Sequence, residues 1–280
     1  MNHPLTIRSL LCCLTADNHQ DSLYFRLYIL GLDESGLSSH LTEVQIDELK
    51  RFTTTTVCNA LELFKVRKRN EGFMLPEIVC RFPELDPVVG YAITTTSKAQ
   101  EPARPDASVD INTYYAHVLS QPQPRIIVTQ DLDARPVGAL FGEVQASLHK
   151  ALGCVGQVTN GGVRDLEECR RIGFQFFSSC VLVSHAYVHL EGFGKPVVVG
   201  GLTVGPGDLI HADRHGVCLI PPNVASHLAT ACREMEALER PLIELARSTE
   251  FRPARFVAAR ASMSRQFEEA SNRLRALIGE

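Results

Sequence analysis

Two stretches of this chain hold residue types that could do chemistry together. Gly142-Glu143-Val144-Gln145 and Thr159-Asn160-Gly161-Gly162-Val163-Arg164-Asp165 place a carboxylate, an arginine and a second carboxylate around a glycine pair. An aspartate whose metal keeps water in the remaining positions is typical of magnesium or manganese, which favour oxygen ligands. Arg164 presents a planar fork able to bind a carboxylate or steady an oxyanion. Glu143 stands 21 positions before Arg164, at the start of another expected helix, where the free amides of residues 142 to 145 can receive a substrate carboxylate. The same residues also have a plainer use. Arg-Asp at a helix start commonly makes a cap and a surface ion pair, and a first-turn Glu is stabilised by the helix dipole.

Positioning these groups needs strands and helices in alternation. Pro87 to Thr96 is rich in β-branched residues and reads as a strand, and Arg125 to Thr129 as a buried one. Between them a polar, proline-bearing loop, Ser97 to Pro105, is a candidate lid or substrate wall, and Asp106 to Leu119 reads as a helix. A helix from about Ala139 to Leu152 follows, closed by Gly153 at its C-cap. Cys154 to Val158 then forms a short strand, Asn160-Gly161-Gly162 a tight turn, and Val163 to Ile172 an amphipathic helix whose first turn carries Arg164 and Asp165.

Outside this centre, Thr42-Glu43-Val44-Gln45 has capping-box spacing and opens a helix. Phe174 to Val183 and Pro196 to Val199 are apolar strand-like runs, and Leu202 to Ile220 reads as a small meander around Gly205-Pro206-Gly207-Asp208 and Asp213-Arg214-His215-Gly216. Asn223 caps a long helix that Pro241 kinks or divides, and a second helix spans about Arg255 to Ile278. The alternation predicts a layered α/β domain over residues 42–225, with an arm at residues 1–41 and a helical C-terminal extension at residues 226–280.

A formal net charge of -4 gives no basic footprint, so neither nucleic acid nor an anionic membrane is an expected partner. No stretch approaches the roughly 20 apolar residues of a membrane span. The nine cysteines include no C-x-x-C pair, and most sit among apolar neighbours; free thiols and a cytoplasmic location are expected. The patch Leu10-Leu11-Cys12-Cys13-Leu14 lacks the sustained apolar region and the cleavage site of a signal peptide.

Five motifs, in order and spacing, resemble the RraA-like family: Gly142 to Gln145, Leu152-Gly153-Cys154-Val155-Gly156, Thr159 to Asp165, Val204 to Asp208, and Asp213-Arg214-His215-Gly216-Val217. This family includes the class II 4-hydroxy-4-methyl-2-oxoglutarate aldolases and the regulator of ribonuclease activity A. The resemblance implies an αββα sandwich similar to the phosphohistidine swivelling domain, assembled into trimers or hexamers with sites at subunit interfaces. It also implies that Asp165 holds a divalent metal (Mg2+ or Mn2+), that Arg164 and residues 142 to 145 bind the keto-acid substrate, and that Glu143 fills the upstream acidic position. The implied reaction is retro-aldol cleavage of a 4-hydroxy-2-oxo acid, with oxaloacetate decarboxylation as a companion activity; the alternative is a non-catalytic regulatory protein. Two positions depart from the pattern: aldolases usually carry Asp where Glu143 stands, and relatives often carry an acid at His215.

Other signals are weaker. His185 and His189 have H-x-x-x-H spacing, but their flanks favour strand or loop and no third ligand accompanies them. His149 reads as a surface or packed histidine. Gly200-Gly201 lacks a dinucleotide-binding frame, and neither a P-loop nor a serine elbow is present.

Overall fold

The computed structural model describes residues 40–104 and 109–279. The arm expected over residues 1–41 lies, but for its last two residues, outside them, as does the start of the helix expected from Asp106.

Local signals set the first elements. The Thr42 hydroxyl accepts a hydrogen bond from the Gln45 amide and the Gln45 side-chain oxygen accepts one from the Thr42 amide, closing the expected capping box on α1 (Glu43–Leu49). Thr53 caps α2 (Thr54–Phe64), its hydroxyl accepting from the Thr56 amide. Next come β1 (Val79–Cys80), β2 (Val88–Lys98), α3 (Ile111–Ser120) and β3 (Arg125–Asp131). α3 starts at the Asp110 cap, whose carboxylate accepts from the Thr113 amide.

The centre of the chain departs from expectation in an instructive way. Ala139–Phe141 is a short strand, β4, and helix α4 begins only at Glu143, with Gly142 as its N-cap (Glu143–Ala151). A run such as Ala-Leu-Phe suits a buried strand as well as a helix, and parallel pairing with the next strand decides between them. Gly153 takes the left-handed conformation that the C-cap reading requires, with φ 78°. β5 (Cys154–Val163) then runs straight through Asn160-Gly161-Gly162, so these residues form no turn.

The glycines answer close packing. A Cβ on Gly161 would stand 2.8 Å from the Asp131 carboxylate, and one on Gly162 2.5 Å from the Leu182 side chain. Pairing of β5 with the following strand shifts register between Thr159 and Gly162. Helix α5 (Leu166–Arg171) is correspondingly short, so Arg164 and Asp165 precede it rather than lying on its first turn.

The remaining strands are β6 (Gln175–Val181), β7 (His189–Phe193), β8 (Val197–Val199), β9 (Leu202–Val204), β10 (Leu209–Asp213) and β11 (Gly216–Ile220). Among the described residues, nine strands join one mixed sheet in the order β1-β6-β5-β3-β2-β10-β11, with β4 on β5 and β7 on β2; β8 and β9 form a separate hairpin. The central strands β2, β3, β5 and β6 are parallel, and their β-branched, doubly covered sequences fit that arrangement.

Alternation along the strands divides the core. Ala92, Ile126, Val128 and Val158 face the β8–β9 hairpin, while Ile93, Ile127 and Phe176 face the helices α3, α4 and α5. The long helices α6 (Ala225–Arg247) and α7 (Pro253–Leu277) bury Leu228, Cys232 and Leu274 with α1, α2 and the β2–β10–β11 edge. The residue at the α6 cap position is Val224, not Asn223, and the helix continues through Pro241 without dividing. The expected α/β class and C-terminal helices are present in this broad form.

Candidate functional site

Parallel strands β5 and β4 end side by side, with Phe141 opposite Val163, and this brings the two chemical stretches into one corner. The Arg164 amide donates to the Phe141 carbonyl at 3.1 Å, tying the two connections together. Asp165 then adopts a left-handed backbone, φ 54° and ψ 48°, a conformation that Asp tolerates better than most residues. It occupies the cap position of α5 without capping it. Its Oδ2 instead accepts from the Glu143 amide at 3.0 Å, so Asp165 caps α4 across 22 positions of sequence.

Gly142 permits that contact. A Cβ there would stand 2.2 Å from Asp165 Oδ2 and 3.0 Å from Arg164 Nε, so only glycine leaves room for the carboxylate and the guanidinium together. Arg164 Nε lies 3.7 Å from Asp165 Oδ2, and both side chains are about a third exposed, so the ion pair itself adds little stability. Arg164 Nε is nevertheless buried and has no hydrogen-bond partner among the described residues, a costly position for a guanidinium nitrogen.

Of the expected site residues, Gly142, Glu143, Arg164 and Asp165 therefore meet. The Glu143 backbone meets Asp165, while the residue is exposed and its carboxylate shows no hydrogen bond. Val144 is also exposed, and Gln145 turns to a neighbouring cavity.

The donor set bears on the metal. Among the described residues no cluster of three or more His, Cys, Asp or Glu side chains is placed to hold an ion. Asp165 offers one oxygen beyond the one bound to Glu143, and a single oxygen ligand suits magnesium or manganese, which retain several waters, and not zinc. One carboxylate with water completing the shell fits a hard divalent cation. His185 and His189 do not form a site: His189 pairs with the Tyr187 carbonyl and Glu191, and His185 with the Ala186 carbonyl.

Two further contacts carry no local sequence signal. Asp131 ends β3 beside Gly161, and burial raises its carboxyl above the usual range. Asn160 fixes it from β5, accepting from the Asp131 amide at 2.7 Å and donating to its carbonyl at 2.9 Å. The other contact is that of His149, fully packed between Tyr114 and Phe141. Its Nδ1 faces the Gln145 carbonyl at 2.8 Å and must donate, which leaves Nε2 to accept from the Tyr114 hydroxyl at 2.9 Å. Burial lowers this imidazole to about 4.

A prediction follows for stability. The unfolded imidazole binds its proton near pH 6.5 and the folded one only near 4, so His149 contributes fully above 6.5 and its contribution is lost as the pH falls between these values. The loss should approach about 3 kcal/mol. Denaturant unfolding from pH 7 to pH 4 should show a smaller decline for His149→Gln than for wild type; equal slopes would refute the assignment.

A family model described as RraA-like, Aldolase/RraA, matches residues 54–219. The chain belongs to the RraA-like family. A curated relative from Halalkalibacterium halodurans named "Putative 4-hydroxy-4-methyl-2-oxoglutarate aldolase" is 26% identical over 204 residues, covering 70% of this chain and 87% of that protein. Among solved structures, an uncharacterized protein from Pseudomonas syringae pv. tomato superposes with a TM-score of 0.60 at 24% identity, over 79% of this chain and 95% of the other. Streptomyces coelicolor RraAS2, titled an unusual member of the RNase ES inhibitor RraA protein family, gives 0.56 at 23% identity, over 72% and 97%. These two establish an RraA-like fold for the chain. The matched segment contains every member of the Gly142–Asp165 corner, and α6 and α7 lie beyond it.

Proposed function

We propose that this RraA-like chain is a divalent-metal-dependent lyase that cleaves 4-hydroxy-2-oxo acids to release pyruvate, with oxaloacetate decarboxylation as a second activity. The observation that carries the reading is the joint placement of Asp165, Arg164 and the α4 N-terminus around Gly142. The curated relative's name and the aldolase part of the family description support it.

The residues divide the work as follows. Asp165 holds the magnesium or manganese ion, which supplies Lewis-acid polarisation of the keto group. Arg164 donates to the developing enolate oxygen when the bond between the third and fourth carbons breaks, and the same donation serves loss of carbon dioxide. Free amides in the first turn of α4 receive the substrate carboxylate, aided by the helix dipole. The proton of the 4-hydroxyl must leave as the bond breaks, and in this reading the exposed Glu143 carboxylate takes it through water.

We further propose that the chain works as a homotrimer or hexamer. A subunit contact over the site would cover the exposed Val144 on the first turn of α4. A cytoplasmic location belongs to the same proposal; no described helix is long and apolar enough to cross a membrane.

The experiment is pyruvate release from oxaloacetate and from 4-hydroxy-4-methyl-2-oxoglutarate, with magnesium, with manganese and with chelator, on a sample whose mass is read by sedimentation equilibrium. Metal-stimulated turnover by a species of three or six chains is expected. Absence of turnover on both substrates would refute the lyase reading, and a monomer of full activity would refute the oligomer.

A further inference from the structure

A cavity of about 270 Å³ lies against the face of α4 that carries Gln145 and His149, one helical turn apart. Ile111, Leu140, Phe141, Val188 and Leu190 supply its apolar walls. It adjoins the corner described above through shared residues. The Phe141 side chain lines the cavity while its carbonyl accepts from the Arg164 amide, and Gln145 lines it from the first turn of the helix whose Glu143 amide meets Asp165.

By residue type the cavity also looks polar, since Tyr114, His149 and His189 line it. Their hydrogen bonds are spent on the protein. The Tyr114 hydroxyl donates to His149 Nε2, His149 Nδ1 donates to the Gln145 carbonyl, and both His189 nitrogens are engaged, one by the Tyr187 carbonyl and one by Glu191. Burial keeps the Tyr114 phenol protonated and the His149 imidazole neutral. Only the Gln145 side-chain amide, at the end toward the α4 N-terminus, has no hydrogen bond among the described residues. The space therefore favours an apolar group, with one polar anchor where the helix begins. Apolar cavities of about 150 Å³ accept benzene, so this one has room for a phenyl or isobutyl group.

We propose that the cavity holds the apolar substituent of the oxo-acid substrate, so that the chain prefers 2-oxo acids bearing a branched aliphatic or aromatic group to those ending in a short carboxylate. This rests on the oxo-acid reading given under Proposed function. The carboxylate would sit at the α4 amides, and the substituent would extend past Gln145 along the walls of Phe141 and Leu190.

The test is calorimetric titration of the full chain, with magnesium, against phenylpyruvate, 4-methyl-2-oxopentanoate, pyruvate and oxaloacetate. The first two should bind about tenfold or more tightly than the last two, as burying a group of that size implies. Val188→Phe, which fills the cavity, and Ile111→Ser, which removes an apolar wall at an exposed helix start, should each reduce that ratio to roughly threefold or less. Binding of all four without preference overturns the cavity assignment and leaves the oxo-acid reading intact. Binding of none overturns the oxo-acid reading; toluene, followed by the methyl resonances of Ile111 and Leu190, then reports on the cavity separately. Methyl shifts present in wild type and absent in Val188→Phe sustain an apolar ligand site, whereas unshifted methyls overturn it.

Discussion

Asp165→Ala should lower metal-stimulated pyruvate release by roughly a thousandfold, because an ion at the keto group contributes several kcal/mol and each 1.4 kcal/mol is a factor of ten. In the proposed site Asp165 is the ion's protein ligand, and among the described residues no cluster of three or more His, Cys, Asp or Glu side chains is placed to hold an ion in its stead. The variant should still fold. Asp165 is partly exposed, and the folded state loses chiefly a cap on the Glu143 amide, worth about 1 kcal/mol. Asp165→Asn separates the two roles, since its amide oxygen can accept from Glu143 but binds magnesium poorly. If both variants lose activity while Asp165→Asn keeps wild-type stability, the carboxylate acts on the ion. If either retains metal-stimulated turnover within about tenfold of wild type, Asp165 is not the ligand.

How much of this was legible in the chain depends on whether each signal is local. The Thr42 capping box and the Gly153 C-cap were readable because the partner lies within a few residues. Asn160-Gly161-Gly162 misled for the opposite reason. Glycines commonly mark turns, but here the need for them comes from Asp131 and Leu182, which reach β5 from other elements. The position of Asp165 was similarly hidden, since its partner is the Glu143 amide and not its own helix. Arg164, Asp165 and Gly142 were nameable through the family resemblance, whereas the Tyr114–His149 pair, 35 positions apart, leaves no motif to read.

Gly142→Ala tests the geometry on which the site depends. The new methyl would stand 2.2 Å from Asp165 Oδ2, well inside contact, and 3.0 Å from Arg164 Cγ and Nε, so the carboxylate must move. The backbone does not oppose the change: φ at Gly142 is -138°, an extended conformation open to alanine. The cost therefore falls on the arrangement of ligand, arginine and helix amides, not on the fold. Displacement of about 1 Å at a catalytic group costs on the order of a hundredfold in rate. The expected result is a loss of that size in kcat/KM, a weakened metal dependence and a Tm within a few degrees of wild type. Glycine at this position then serves the reaction through what it leaves empty, and an alanine enzyme with unchanged turnover would show that Asp165 and the α4 N-terminus act independently.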